Sequence, residues 1–320
     1  MGAKIALALC RDSVLSGGMR IGIIGTGWVG TSVAISLLQA GVPRELLLHD
    51  AREGLAVGEA MDLSHGAPFL RAALVREASV AEMADCDAVV IAAGRNGKPS
   101  ESRLDLLREN AAVVRALGHT LRDHRGLLVM VSNPVDVLTW VLAEASGVAH
   151  ERVIGTGTLL DTARMRQILG AELGVSAKSV HMHVLGEHGD SQVPAFSSAV
   201  VGGNLLRNFP GWDREREPLI ADRVRFAARE IIKRKGATNH AIGLATAHLL
   251  KWALGDERRI LTVSRVQHGA LGLQDVALSL PAIVGRGGAA TVLEPDLDEG
   301  ERVALHKSAE LLRAAQQTLA

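Results

Sequence analysis

Apolar residues recur along this chain in two rhythms. Short unbroken runs come first: Ile21-Gly22-Ile23-Ile24, Leu46-Leu47-Leu48, Leu74-Val75, residues 88–93, residues 127–131 and Val153-Ile154-Gly155. Between them lie stretches with apolar residues three or four apart, such as Val29, Val33 and Leu37. A short continuous run is the signature of a strand buried on both faces, and the wider spacing that of an amphipathic helix. Their alternation predicts an α/β chain, a Rossmann-type doubly wound parallel sheet, followed by an α+β unit. The last of these strands ends near residue 157. The expected division is an N-terminal extension (1–18), a nucleotide-binding unit (19–157) and a substrate-binding, catalytic unit (158–320). Residues 1–18 read either as a start-site artefact, Met19 opening the first strand, or as an arm against a neighbouring subunit. In the second half the clearest helix is expected from Pro218 to Lys235, with Ile220, Val224, Ala227 and Ile231 on one face. A final helix is expected to start at Asp298, with Glu301 completing a capping box.

The first strand runs directly into Gly25-Thr26-Gly27-Trp28-Val29-Gly30, a helix follows, and the second strand ends at His49-Asp50. Strand, glycine turn, helix, strand and acid together form a dinucleotide-binding pattern. Gly25 permits the tight turn, Gly27 lets the backbone approach a pyrophosphate, and Gly30 permits close helix–strand packing. The helix N-terminus adds the positive end of a dipole. Asp50 stands where a carboxylate accepts hydrogen bonds from an adenosine ribose and repels an added phosphate, which favours NAD over NADP. Trp28 is bulky for such a turn and could pack under the cofactor or crowd it.

Composition narrows the field. Lys plus Arg and Asp plus Glu both number 35, so no charge imbalance points to nucleic acid or an anionic membrane. No apolar run is long enough to span a bilayer. The two cysteines, Cys10 and Cys86, have no metal-ligand or redox spacing, so no metal is expected and a reducing cytoplasm is. There is no tyrosine, which removes tyrosine-based proton donors.

Two loops can carry chemistry. Gly94-Arg95-Asn96-Gly97-Lys98-Pro99-Ser100 leaves the carboxyl end of a strand and reads as a lid or as an ordinary solvated connection. Leu185-Gly186-Glu187-His188-Gly189-Asp190-Ser191 sets one histidine between glycines and carboxylates. Such a histidine either reaches a ligand and exchanges a proton near neutral pH, or sits buried and hydrogen-bonded in its loop.

With the glycine turn, these segments appear in a familiar order: Glu101-Ser102-Arg103-Leu104, Ser132-Asn133-Pro134-Val135-Asp136, Leu160-Asp161-Thr162-Ala163-Arg164, Gly186 to Asp190, and Lys235-Gly236-Ala237-Thr238. From residue 19 to about 318 the chain resembles the L-lactate/malate dehydrogenase family, and within it the lactate enzymes. The resemblance implies His188 as proton donor and acceptor, Asp161 as the carboxylate that orients it, and Arg164 as the clamp on a substrate carboxylate. It implies Arg103 as the group polarising the ketone, and Asn133 and Thr238 as neutral groups lining the site. Gly94, Ser132 and Asn133 would join Gly25, Gly27, Trp28, Val29, Gly30 and Asp50 around NAD. Six residues before Arg103, where lactate enzymes typically carry Gln and malate enzymes Arg, this chain has Gly97. Lacking that arginine argues against malate, and the missing side chain leaves room for bulkier 2-keto acids. The alternative to a lactate enzyme is therefore a broad L-2-hydroxyacid or malate dehydrogenase. A catalytically retired nucleotide-binding protein is the reading from another class, and it is at odds with a full set of His188, Asp161, Arg103 and Arg164. Arg166 and His181 match the positions that bind fructose 1,6-bisphosphate between subunits of regulated bacterial relatives, which implies a homotetramer. The same two residues could equally be plain surface groups.

Overall fold

The computed structural model describes residues 18–95 and 102–319, and Arg103 in its backbone alone. Strand β1 (Met19–Ile24) leads into helix α1 (Trp28–Gln39), β2 (Pro43–His49), α2 (Leu55–His65), β3 (Leu74–Glu77) and β4 (Ala88–Ile91). Then come α3 (Arg103–Thr120), β5 (Leu127–Met130), α4 (Val135–Ser146) and β6 (Val153–Gly155). These six strands are parallel, in the order β3-β2-β1-β4-β5-β6. The order reverses between β1 and β4, and a doubly wound sheet binds its ligand at the carboxyl ends on either side of such a reversal.

Both faces of this sheet are apolar. Ile21, Ile23, Leu46 and Leu48 enter one core, while Leu47, Val89, Ile91 and Met130 enter the other. Each such side chain contributes about 1.5–3 kcal/mol on full burial. Two covered faces leave no polar alternation, which is why these strands read as unbroken apolar runs.

The second half contains α5 (Leu159–Leu173) and five two-residue strands: β7 (Val180–His181), β8 (Val184–Leu185), β9 (Val193–Pro194), β10 (Val200–Val201) and β11 (Asn204–Leu205). It continues with α6 (Glu217–Arg225), α7 (Ala227–Lys235) and α8 (His240–Leu254). Last are β12 (Arg259–His268), β13 (Gln274–Gly285), β14 (Gly288–Val292) and α9 (Glu299–Gln317). The sheet does not stop at β6. Strand β12 joins it antiparallel through Ser264 opposite Gly155, and β13 and β14 extend it to nine strands among the described residues.

The expected helix from Pro218 to Lys235 is two helices, α6 and α7, separated at Phe226. Ile220 and Val224 are buried, but Ile231 is exposed and α7 buries no residue. Beyond Phe226 the chain leaves the core of α5 and α6, and its apolar residues lose their shared face. Arg229 of α7 pairs instead with Asp190, at 2.5 Å, and lies over the Phe226 ring. The capping box of α9 forms as expected, with Asp298 as the capping residue and Glu301 completing it. Helix α8 packs directly on α1: a Cβ on Gly243 would stand 2.6 Å from the Ser32 carbonyl oxygen.

Candidate active site

A cavity of about 760 Å³ opens over the glycine turn, with Gly25, Gly27, Trp28, Asp50 and Gly94 in its wall. The turn owes its shape to contacts only glycine permits. Gly25 has φ 93°, and a Cβ on Gly30 would lie 1.9 Å from the Gly25 carbonyl oxygen. Among the described residues a Cβ on Gly27 would meet only Arg52, at 3.8 Å, which leaves room for a phosphate to rest against the backbone. Gly27 also caps α1 without a side-chain hydrogen bond, leaving the first-turn amides to an anion. Trp28 is 60% exposed on the cavity wall and Val29 packs inward on the α1 core, so the indole does not fill the turn. Asp50 accepts from the Thr26 amide at 2.8 Å. Burial raises the Asp50 pKa, and hydrogen bonds from Arg52 and Thr26 outweigh it and hold the carboxyl below its ordinary range. These residues fit a dinucleotide.

The acid–base end is built from three elements. Gly186 pairs with Ser279 of β13, and the following turn presents His188. Its Nδ1 lies 2.5 Å from Asp161 Oδ2, on the first turn of α5. The other Asp161 oxygen accepts from Arg164 at 2.9 Å, one helical turn on. The backbone amide of His188 donates to Asp136 Oδ2 at 2.7 Å. Asp136 is in the first turn of α4, just beyond Asn133 and Pro134, so this bond ties the histidine loop to the carboxyl end of β5. Burial works against a charged imidazole, but Asp161, aided by Asp136, reverses this and raises the His188 pKa. Asp161 is itself buried, which raises its pKa, and the charges of His188 and Arg164 bring it below its ordinary range. Burial pushes Asp136 up to about 6.

The same strand ends carry other expected residues. Ser132 donates to the Ala93 carbonyl at 2.6 Å and lies under Gly94; Asn133 next to it is exposed. Gly236 and Ala237 line the cavity after α7, with Thr238 half-buried beside them. Gly97 and the rest of 96–101 lie outside the described residues, as do the Arg103 side chain, residues 1–17 and Cys10. Arg166 is half-buried, its Nε donating to the Met182 carbonyl at 3.0 Å, and His181 is exposed on β7. The pKa of His183 is pushed down to about 4, first by burial and then by the positive charges of Arg166 and His181. Cys86 is buried with its thiol pushed up to about 12, so it offers no thiolate at neutral pH.

Two contributors escape sequence reasoning. Asn110 holds the Arg95 backbone at both ends, accepting at 3.0 Å and donating at 3.3 Å, and no motif marks it. Asp136 stands inside a recognised segment, but its bond to His188 crosses 52 positions of chain.

Comparison with known proteins agrees with this geometry. Residues 19–155 match the lactate/malate dehydrogenase NAD binding domain, and residues 158–320 the lactate/malate dehydrogenase alpha/beta C-terminal domain. The chain is 41% identical to an L-lactate dehydrogenase of Synechococcus sp. over 92% of its length and 97% of that protein. It is 43% identical to one from Allorhizobium ampelinum, over 92% and 97%. A crystal structure of a minor L-lactate dehydrogenase from Enterococcus mundtii superposes with a TM-score of 0.92 at 36% identity, covering 95% of this chain and 99% of that one.

Proposed function

The chain belongs to the lactate/malate dehydrogenase family, and on that premise we propose that it interconverts pyruvate and L-lactate with NAD, His188 serving as the acid–base group. One observation carries the reading: a 2.5 Å contact joins His188 to Asp161, whose second oxygen holds Arg164, beside strand ends that frame a nucleotide cavity. In this reading residues 19–157 hold the cofactor, and residues 158–320 supply the proton and the substrate clamp.

When bound, NADH supplies the hydride that reduces a keto carbon. His188, held by Asp161 through Nδ1, keeps Nε2 for the substrate oxygen and gives it a proton as negative charge develops there. A raised pKa keeps the imidazole protonated for that step. Arg164 spends one N–H on Asp161 and has the rest of its guanidinium for the substrate carboxylate. Asn133 and Thr238 hydrogen-bond around the substrate, while Gly94 and Ser132 help seat the cofactor with the glycine turn and Asp50. Arg103 takes the polarising role, and Gly97 the specificity position, on the family resemblance alone.

The relatives named above are lactate enzymes, so a malate or broad 2-hydroxyacid activity is not favoured. No described helix is long and apolar enough to cross a membrane; the cytoplasmic, glycolytic setting of this reading rests on the family resemblance. Arg166 and His181 would bind fructose 1,6-bisphosphate across a symmetry axis in a homotetramer. Support comes from the positions of these two residues in the family resemblance. Steady-state NADH oxidation with pyruvate, oxaloacetate and 2-ketoisocaproate, each with and without fructose 1,6-bisphosphate, tests the whole reading. Pyruvate should win and the sugar bisphosphate should raise its apparent affinity. Preference for oxaloacetate or the branched acid would overturn the substrate assignment.

A further inference from the structure

Asp50, at the end of β2, is not a bare carboxylate. Oδ2 accepts from the Thr26 amide at 2.8 Å and from its hydroxyl at 3.2 Å. Oδ1 accepts from the Arg52 amide at 3.0 Å and from Arg52 Nε at 3.1 Å. Both oxygens are therefore engaged, and a guanidinium lies flush against one of them.

The Arg52 guanidinium is committed to Asp50 only through Nε. Neither Nη atom has a hydrogen-bond partner among the described residues. The side chain is 68% exposed and forms part of the wall of the large cavity. Nη2 comes 3.8 Å from the point where a Cβ on Gly27 would stand, so the guanidinium overhangs the open side of the glycine turn. Charge bookkeeping at this corner then changes. An acid alone would repel a phosphate on the adenosine 2′-oxygen, whereas an acid paired with an arginine presents no net charge. The two free Nη groups form a planar donor edge of the kind that binds phosphate.

We propose that Arg52 makes the adenosine end of the cavity accept a 2′-phosphorylated dinucleotide beside the unphosphorylated one, its Nη groups donating to the 2′-phosphate. The inference rests on the dinucleotide reading of the cavity and adds a second cofactor class to it. The glycine turn holds both dinucleotides alike, so the result is relaxed discrimination rather than a reversal. The opposing possibility is that Arg52 merely covers the adenine ring, which both dinucleotides share.

Direct binding separates these. NADH and NADPH differ only in the 2′-phosphate, and each can be titrated into the full-length protein by nicotinamide fluorescence, without turnover. The native protein should bind NADPH within roughly tenfold of NADH, and Arg52→Ala should lower the NADPH-to-NADH affinity ratio by roughly tenfold or more. Added salt should weaken NADPH more than NADH, because the extra contact is between exposed charges. A native preference for NADH beyond about a hundredfold, or an unchanged ratio in Arg52→Ala, overturns the proposal. Failure of NADH itself to bind would be a different result, removing the dinucleotide reading and this inference with it.

Discussion

Replacing Asp161 with Asn tests the acid–base pair most directly. The change keeps the size of the side chain and an oxygen that can accept from His188, but removes the negative charge. Opposite charges about 4 Å apart attract by about 4 kcal/mol at an effective dielectric constant near 20. The His188 side chain is 25% exposed and Asn retains one acceptor, so about half that figure is a fair expectation. About 2 kcal/mol corresponds to roughly thirtyfold in kcat/KM for pyruvate. The pH dependence carries the sharper signature. Pyruvate reduction needs protonated His188, so kcat/KM falls as pH rises through the His188 pKa. Asp161 raises that pKa, so its removal must move the falling limb to lower pH. Profiles from about pH 5.5 to about pH 9 should therefore show the smallest loss at the acid end. NADH affinity, read by fluorescence, should hold because Asp161 does not line the cofactor cavity. An equal loss at every pH, with the falling limb unmoved, would refute the argument and leave Asp161 a packing residue.

Other outcomes follow from the same geometry. Asp136→Asn should flatten the pH dependence of stability: a buried acid raised from 3.8 to about 6 destabilises the fold as pH climbs through that interval, and the amide does not. Thermal melts at several pH values, variant against native, give the difference. Gly30→Ala should lower stability by about 1–3 kcal/mol and abolish NADH binding, since its methyl would sit 1.9 Å from the Gly25 carbonyl oxygen. Denaturant unfolding and fluorescence titration read the two effects separately. The double variant Arg166→Gln/His181→Gln should remove any stimulation by fructose 1,6-bisphosphate while sparing basal pyruvate reduction; a response that survives puts the effector elsewhere.

The first half of the chain was legible because its decisions are local. Ile21 to Ile24 and Leu46 to Leu48 bury both faces, and Gly25 to Gly30 turn between them within a few residues. The second half resists the same reading for a physical reason. Strand β12 interleaves Ser264, Arg265 and Gln267 with its apolar residues, and all three are buried. Arg265 donates to the neighbouring Val266 carbonyl and, across the sheet, to the Ala289 carbonyl, a contact that exists only once β14 is in place. The break at Phe226 likewise depends on where the core ends. The family resemblance implied roles for His188, Asp161 and Arg164, whereas the anchoring bond of Asp136 needed the folded chain.

The union of β6 with β12 bears on how the protein can be taken apart. The family divides near residue 157, but Gly155 on one side pairs with Ser264 on the other. A Cβ on Gly155 would stand 2.3 Å from Thr139 Oγ1, and one on Gly157 would stand 2.1 Å from Ser279 Oγ. There is no hinge of loose chain here, only a sheet without a gap. Cutting at 157 would expose two raw strand edges rather than release two modules. Exchanging halves between relatives would succeed only where both partners kept glycine at this seam.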